Sequence, residues 1–275
     1  MMFMLYQQYK DHHMQERPRK AIINALLTVV KVEQLSHSFL RLHFSCDTPL
    51  IVNPRWICPH LKLLFADPLT GEITFPQLDE NNKIMVSDRI RQLARSYSIR
   101  GYDESTNQLI IDFAIHSRGL ATVWAQKAKI GDQVGIVGTA GKLEFDNQFL
   151  VLMGDISAVP SICYTLENLP SSQTALAFIE VNHRTDIVGL PINKNVTVQW
   201  FVKDVNSPNQ LVEAVMNIDL SGQDNILFWG GMERSLAQQL RHSIKDKYHN
   251  LEPNAIQITS YWREGFAEGE FKHRD

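Results

Sequence analysis

The sequence contains few cysteines, and their spacing excludes the common cysteine-based sites. Its 275 residues include only three, Cys46, Cys58 and Cys163, an odd number without a C-x-x-C pair. This pattern argues against a paired-cysteine metal or redox motif and against a disulfide framework. Three ordinary thiols in a reducing compartment are the simplest interpretation, so we expect a cytoplasmic protein.

Long apolar runs and a large excess of one charge are also missing. No stretch approaches the roughly 20 apolar residues of a membrane helix, and the opening MMFMLYQQYKDHH lacks the basic head and apolar run of a signal peptide. The formal net charge is −3, which does not mark the whole chain as a nucleic-acid binder. We expect a soluble monomer with no nucleic-acid partner and no stable membrane association.

The first half of the chain contains many short strand patterns. Alternating or apolar segments predict strands at 39–45, 60–66, 108–116 and 133–138, with one helix at 119–129. Many short strands with a single helix are typical of an antiparallel β-barrel. We predict a barrel domain over 21–146, preceded by a polar N-terminal arm at 1–20.

The second half alternates strands with helices. Apolar strands are predicted at 149–154, 174–181, 196–202, 225–231 and 255–262, and helices at 157–170, 209–218 and 232–248. This alternation predicts a parallel sheet with helices on both faces. The chain therefore reads as a β-barrel followed by an α/β domain over 147–265, with a tail at 266–275.

Two strands of the α/β half end in glycine and lead into a helix, in GDISAVPS (154–161) and WGGME (229–233). Ligands of such sheets bind at the carboxyl ends of the strands, where the helix N-terminus attracts anions. Candidate contacts to a nicotinamide dinucleotide are Gly154, Asp155, Ser157, Gly230 and Glu233. Neither turn is G-x-G-x-x-G, and a plain turn capped by Ser157 is the alternative for the first.

The barrel half contains the unusual stretch RSYSIR (95–100). In a strand, Arg95, Tyr97 and Ile99 would point to one face and the other three residues to the opposite face. One interpretation is an exposed edge strand with solvated arginines. The other is a cofactor site, where a cation holds a phosphate, an aromatic plane packs on a flat ring and a hydroxyl reaches a ring nitrogen.

A second barrel segment, HSRGLATVW (116–124), follows a strand and opens a helix. Residues Gly119 to Thr122 would present backbone N–H groups to a pyrophosphate, and the helix dipole would add to the attraction. A lone histidine such as His116 is more commonly part of a core. Its position beside this turn favours contact with a cofactor.

These segments together resemble one family. RSYSIR (95–100), residues 112–143, LVLMGDISAVPSI (150–162), WGGMERSLAQQLRHSI (229–244) and SYWREG (260–265) occur in the order found in siderophore-interacting proteins. These are FAD-dependent ferric-siderophore reductases of the ferredoxin-reductase-like flavoprotein superfamily. The resemblance implies an FAD-binding barrel followed by an NAD(P)H-binding-type α/β domain.

The resemblance also assigns residues. It implies that Arg95 pairs with the FAD phosphate, that Tyr97 packs on the isoalloxazine and that the Ser98 hydroxyl lies near N5. The remaining implied FAD contacts are Ile99, His116, Gly119, Ala121 and Thr122. A negatively charged ferric siderophore would be attracted by Lys62, Lys142 and Arg263. For each of these three cations, a solvated surface charge is the alternative, and no permanent metal site is expected.

The electron donor and the acceptor stay open at this point. In EVNHRTD (180–186), Glu180 and Asp186 would favour NADH, whereas His183 and Arg184 would favour NADPH. Ferredoxin is a further possible donor. The alternatives in function are a related flavoprotein that exchanges electrons with ferredoxin or flavodoxin, and a siderophore carrier without enzymatic activity.

Overall fold

The computed structural model of the chain describes residues 24–81, 83–116, 119–141, 146, 149–223, 225–252, 254–266 and 268. The predicted arm at 1–20 lies outside this part of the chain. In the first half, the described residues form nine strands: β1 (Asn24–Gln34), β2 (Phe39–Cys46), β3 (His60–Leu64), β4 (Gln77–Leu78), β5 (Ile84–Met85), β6 (Ala94–Ser98), β7 (Gly101–Asp103), β8 (Gln108–Ala114) and β9 (Gln133–Ala140). Among the strands that the structure describes, β4 and β5 pair with each other and with no third strand.

The other seven strands form one antiparallel sheet in the order β6-β3-β9-β1-β2-β8-β7. Strands β6 and β7 lie at opposite edges, yet only Ile99 and Arg100 separate them in the chain. The backbone N–H of Ile99 donates to the carbonyl of Pro59, and that of Arg100 donates to the carbonyl of Ile110, both at 2.9 Å. The sheet therefore curls until its two edges meet, which is an open form of the predicted barrel.

Two helices accompany this sheet, α1 (Asp88–Leu93) and α2 (Leu120–Lys127). Helix α2 was predicted from the sequence, but α1 was not. Its N-terminus is capped by the hydroxyl of Ser87, which accepts from the backbone N–H of Ile90 at 3.2 Å. Because Ile90 and Leu93 are its only buried residues, this short helix carries too little apolar periodicity to predict.

The second half is a five-stranded parallel sheet with helices between the strands. Its elements are β10 (Phe149–Gly154), α3 (Val159–Glu167), β11 (Ala175–Val181), β12 (Val196–Val202), α4 (Gln210–Met216), β13 (Ile226–Glu233), α5 (Arg234–Lys247) and β14 (Ile256–Trp262). The strand order is β12-β11-β10-β13-β14, so the direction of winding reverses between β10 and β13. Ligand crevices of α/β sheets form at this reversal. Among the described residues, no helix is long and apolar enough to cross a membrane.

Polar contacts join the two halves. The guanidinium of Arg100 makes a bidentate pair with Glu167 of α3, with both distances 2.6 Å. The hydroxyls of Ser36 and Ser38 donate to the carboxylate of Asp186 at 2.5 and 2.8 Å. Since Asp186 is only 1% exposed, this contact is buried and fixes the barrel against the end of β11.

Candidate cofactor and substrate site

Strand β6 pairs with β3, and the pairing assigns its side chains to two faces. Tyr97 lies opposite Leu61, which is 1% exposed in the barrel core. The Tyr97 ring packs against Phe113 with centroids 4.5 Å apart, and burial raises the pKa of its hydroxyl. Lys62 lies opposite Ser96 on the other face. The stretch RSYSIR is thus a half-buried edge strand and not a solvated one.

Ser98 lies where the barrel meets the α/β half. Its side chain is 8% exposed, and the hydroxyl of Ser161 in α3 donates to the Ser98 hydroxyl. The Tyr261 hydroxyl of β14 lies 3.5 Å from the Ser161 hydroxyl. The predicted flavin-facing serine therefore sits in a cluster of three hydroxyls. Sequence reasoning missed Ser161, since a single serine in an apolar helix carries no signal of such a contact.

Arg95 and Ile99 differ in what they can offer a ligand. The Nη1 group of Arg95 donates to the carbonyls of Gln92 and Ala94, both at 2.7 Å. Its other two nitrogens make no contact within the described part of the chain and are available to an anion. Ile99 is fully buried, so its side chain belongs to the barrel core.

Of the three basic residues predicted to attract the substrate, the structure describes two, and these two have different contacts. The Lys62 ammonium donates to Glu268 and to the Ser96 hydroxyl, both at 2.9 Å. The Arg263 guanidinium lies over the ring of Phe266, 3.8 Å from its centroid. Lys142 lies outside the described residues. Glu268, the partner of Lys62, follows Arg263 by five residues. The same short segment therefore contains Arg263 and the residue that pairs with Lys62.

The barrel turn, which we define as His116 and residues 119–122, requires glycine. Gly119 has a φ of +124°, and a Cβ there would lie 2.9 Å from Cε1 of His116. Partial burial lowers the pKa of His116. Helix α2 begins at this turn without a side-chain cap from the described residues. The buried Thr122 hydroxyl has no hydrogen-bond partner in the same part of the chain.

An open groove of about 460 Å³ runs beside this turn. Its wall includes Phe65, Pro68, Gly119, Trp124 and Lys127. Uncapped helix N–H groups attract phosphate, and the apolar wall suits the body of a large cofactor. The residues present therefore fit the pyrophosphate and adjoining parts of a dinucleotide.

The sheet turn, which we define as residues 154–157, is closed by the chain itself. The Asp155 carboxylate accepts from the backbone N–H and hydroxyl of Ser157, at 2.9 and 2.5 Å. It also accepts from the Glu233 N–H at 2.7 Å and from Nε1 of Trp262 at 2.8 Å. Burial raises the pKa of Asp155, and these hydrogen bonds oppose the shift. Asp155 is the cap, so the alternative that Ser157 caps this turn is wrong.

The glycines of the two predicted nucleotide turns are explained by internal packing. A Cβ on Gly154 would lie 2.5 Å from the Cβ of Ala158, and one on Gly230 would lie 2.8 Å from the terminal methyl of Met232. The Glu233 carboxylate accepts from the backbone N–H of Ser235, 2.5 Å away, and caps α5. Contact of these residues with a dinucleotide stays a prediction.

In the segment expected to contact the nicotinamide ribose, residues 180–186, some side chains already have partners within the protein. Asp186 is held by Ser36 and Ser38, as described above, and also accepts from the backbone N–H of His183 at 3.0 Å. Burial raises the pKa of the half-buried Glu180. His183 and Arg184 are exposed. Of the two acids and two bases, the two bases are the more accessible.

Comparison with protein families assigns both halves. A model for the siderophore-interacting FAD-binding domain matches residues 28–143. A model for the siderophore-interacting protein family matches residues 147–265. The chain belongs to the siderophore-interacting protein family. The prediction of an FAD-binding barrel followed by an α/β domain is thereby confirmed.

Individual relatives agree with this assignment. The chain is 26% identical to the ferric vibriobactin reductase ViuB of Vibrio cholerae over 248 residues, 88% of this chain and 90% of the relative. It is 26% identical to the NADPH-dependent ferric-chelate reductase of Escherichia coli K12 over 243 residues, 86% and 91% of the two chains. A crystal structure of a siderophore utilization protein from T. fusca superposes with a TM-score of 0.78 at 23% identity. That match covers 92% of this chain and 97% of the other, and it shows a shared fold.

Proposed function

We propose that this protein is a ferric-siderophore reductase that passes electrons from a nicotinamide nucleotide, through FAD, to Fe(III) in a siderophore. Bound FAD supplies the redox chemistry, because a flavin accepts two electrons and donates them one at a time. Fe(II) is held weakly by hard oxygen chelators, so reduction releases the metal. The protein contributes binding, orientation and charge.

In this proposal the barrel holds FAD through residues of two segments. The two Arg95 nitrogens that make no contact within the described residues would pair with phosphate, a contact suited to guanidinium. Tyr97 would pack on the isoalloxazine, and the Ser98 hydroxyl would lie near its electron-exchanging edge. At the barrel turn, His116, Gly119, Ala121 and Thr122 would hold the pyrophosphate and its neighbouring atoms.

One observation carries the acceptor assignment. Strand pairing puts Lys62 opposite Ser96, on the same side of the sheet as Ser98. A cation therefore stands one pleat away from the side chain proposed to face the flavin edge. Together with Arg263 and Lys142, it would attract a negatively charged ferric chelate to the place where electrons leave.

The relatives support the same function and one choice of donor. The two enzymes reported above are named a ferric vibriobactin reductase and an NADPH-dependent ferric-chelate reductase. We propose NADPH as the donor, because His183 and Arg184 are accessible whereas Asp186 is buried. Gly154, Asp155, Ser157, Gly230 and Glu233 would border the nicotinamide site. A cytoplasmic location is part of the proposal and is supported by three free, buried cysteines.

A single anaerobic experiment tests the function. The purified protein is loaded with FAD, and the flavin absorbance is followed while NADPH, NADH or reduced ferredoxin is added separately. We expect NADPH to bleach the flavin absorbance. When a ferric siderophore and a ferrous-iron trap are then added, the flavin absorbance should recover and the coloured ferrous complex should form.

Three outcomes contradict the proposal. A protein that does not retain FAD contradicts the cofactor assignment. Bleaching by reduced ferredoxin alone contradicts the nicotinamide donor. Binding of the siderophore without ferrous iron above the protein-free control identifies a carrier and not a reductase.

A further inference from the structure

The carboxylate of Glu268 occupies a set of three hydrogen-bond donors on the face of β3 and β6. It accepts from the Lys62 ammonium at 2.9 Å, from the Ser96 backbone N–H at 2.9 Å and from the Ser96 hydroxyl at 2.8 Å. The side chain of Glu268 is only 16% exposed. Burial alone would raise the pKa of Glu268, but Lys62 and Ser96 hold it below its ordinary value.

These donors come from two strands and make a ready-formed carboxylate site. An ammonium, an amide N–H and a hydroxyl that converge on one carboxylate give charge-assisted hydrogen bonds, which are about twice as strong as neutral ones. The N–H is available because β6 is an edge strand of its sheet, and no other described strand lies beside the outward backbone group of Ser96. The N–H of this site therefore follows from the sheet edge, and a hydrogen bond to the Ser96 hydroxyl at 2.9 Å also holds the Lys62 ammonium beside it.

We propose that this site is a substrate subsite for the free carboxylate of a ferric chelate, and that Glu268 is an internal competitor that must leave before such a chelate binds. This inference rests on the proposed function and names a substrate class for it. Ferric chelates of the citrate type, which carry uncoordinated carboxylates, would place one of them on Lys62 and Ser96. Chelates without a free carboxylate would not use these donors.

Competition follows from charge and space. Lys62 is the one cation within reach of this carboxylate among the described residues, and its ammonium already contacts Glu268 and the Ser96 hydroxyl. A second carboxylate at the same donors would face the negative charge of Glu268 at close range, which is unfavourable in a partly buried site. Removing that charge while keeping the shape of the side chain should therefore strengthen binding of a carboxylate-bearing chelate.

The test uses redox-inert gallium, which takes the place of Fe(III) and separates binding from reduction. The affinity of FAD-loaded protein for Ga(III)-citrate is measured by equilibrium dialysis for the parent, Glu268→Gln, Glu264→Gln and Lys62→Met. We expect Glu268→Gln to bind about tenfold tighter, equivalent to about 1.4 kcal/mol. Lys62→Met should bind at least about tenfold more weakly, because the site loses its only charged donor. Glu264→Gln removes the same charge from the same segment and should match the parent.

A second ligand sharpens the test. Ga(III) bound to a trihydroxamate without a free carboxylate should bind the parent and Glu268→Gln equally. The inference is overturned if Glu268→Gln matches the parent for Ga(III)-citrate, or if Glu264→Gln gives the same gain, since general charge would then explain it. Equal gains for both gallium chelates would also overturn it. Each of these results leaves FAD loading and ferric reduction intact, so they differ from failure of the proposed function.

Discussion

In each half of the molecule, a strand leads into a helix through a turn that contains glycine. The two turns differ in whether their hydrogen-bond donors already have an acceptor within the protein. At the sheet turn, Asp155 accepts from Ser157, Glu233 and Trp262, so the chain's own carboxylate takes the donors. At the barrel turn, α2 starts without a side-chain cap from the described residues, and the Thr122 hydroxyl has no partner there.

This difference suggests two kinds of binding. Donors left free in a preformed site lose little on binding, which suits a tightly held cofactor. Donors already satisfied by an internal carboxylate offer little to a new anion, which suits a ligand that arrives, reacts and leaves. We infer that FAD resides at the barrel turn, whereas a nicotinamide nucleotide at the sheet turn binds transiently.

Filling the barrel turn should have the largest effect. Gly119→Ala places a Cβ 2.9 Å from Cε1 of His116, at a φ of +124° that an alanine rarely adopts. We expect FAD affinity to fall by roughly a hundredfold, about 2.7 kcal/mol, because the new Cβ displaces the His116 ring and the unfavourable φ distorts the turn proposed to hold the pyrophosphate. Fluorescence titration of the FAD-free protein measures this change.

The matched control is Gly131→Ala. Gly131 also has a positive φ, +95°, but nothing lies within 4 Å of a Cβ built there. Gly131→Ala therefore introduces backbone strain without adding an atom to the barrel turn. The affinity of this variant for FAD should equal that of the parent. Equal losses in both variants would mean that general strain, and not the shape of the barrel turn, explains the effect.

Opening the sheet turn should have a smaller effect, on stability. In Asp155→Asn, the amide nitrogen cannot accept, so two of the donors to Asp155 lose their acceptor whichever way the amide points. We expect the free energy of unfolding to fall by about 2 kcal/mol in urea denaturation. Asp204→Asn, in an exposed turn where Asp204 accepts from the Asn206 N–H at 2.9 Å, should stay within about 0.5 kcal/mol of the parent. If the two variants unfold alike, Asp155 does not hold the sheet turn together.

Local sequence patterns predicted much of this fold. Strands β10 and β12 have the predicted bounds, because continuous apolar or alternating runs between turns leave little choice. The strand predicted over 108–116 ends instead at Ala114, and helix α1 was missed. These errors fall at element ends and in short elements, where capping contacts and not periodicity decide the structure.

The candidate site was predicted less completely, because its contacts are distant in sequence. Glu268 meets Ser96 across 172 positions, and Ser161 meets Ser98 across 63. Asp186 was one of two acidic candidates for contact with the nicotinamide ribose, yet its carboxylate accepts from Ser36 and Ser38, about 150 positions earlier. Residue types and spacing can indicate which chemistry is present, but they do not show which partner has already satisfied a side chain.

The smallest expected effect concerns the charge of His116 at the barrel turn. Partial burial lowers its pKa from the ordinary value of 6.5, so the FAD-free protein loses stability as the pH falls from 6.5 through the lowered pKa. An anionic pyrophosphate nearby would favour the imidazolium and raise this pKa. Binding of FAD would then take up protons, and its affinity should rise about threefold between pH 8 and pH 6. His116→Gln should remove this slope, whereas His242→Gln, at an exposed position of α5, should keep it. NMR titration of His116 with and without FAD gives the direct measurement, and an unchanged pKa would place the pyrophosphate away from this ring.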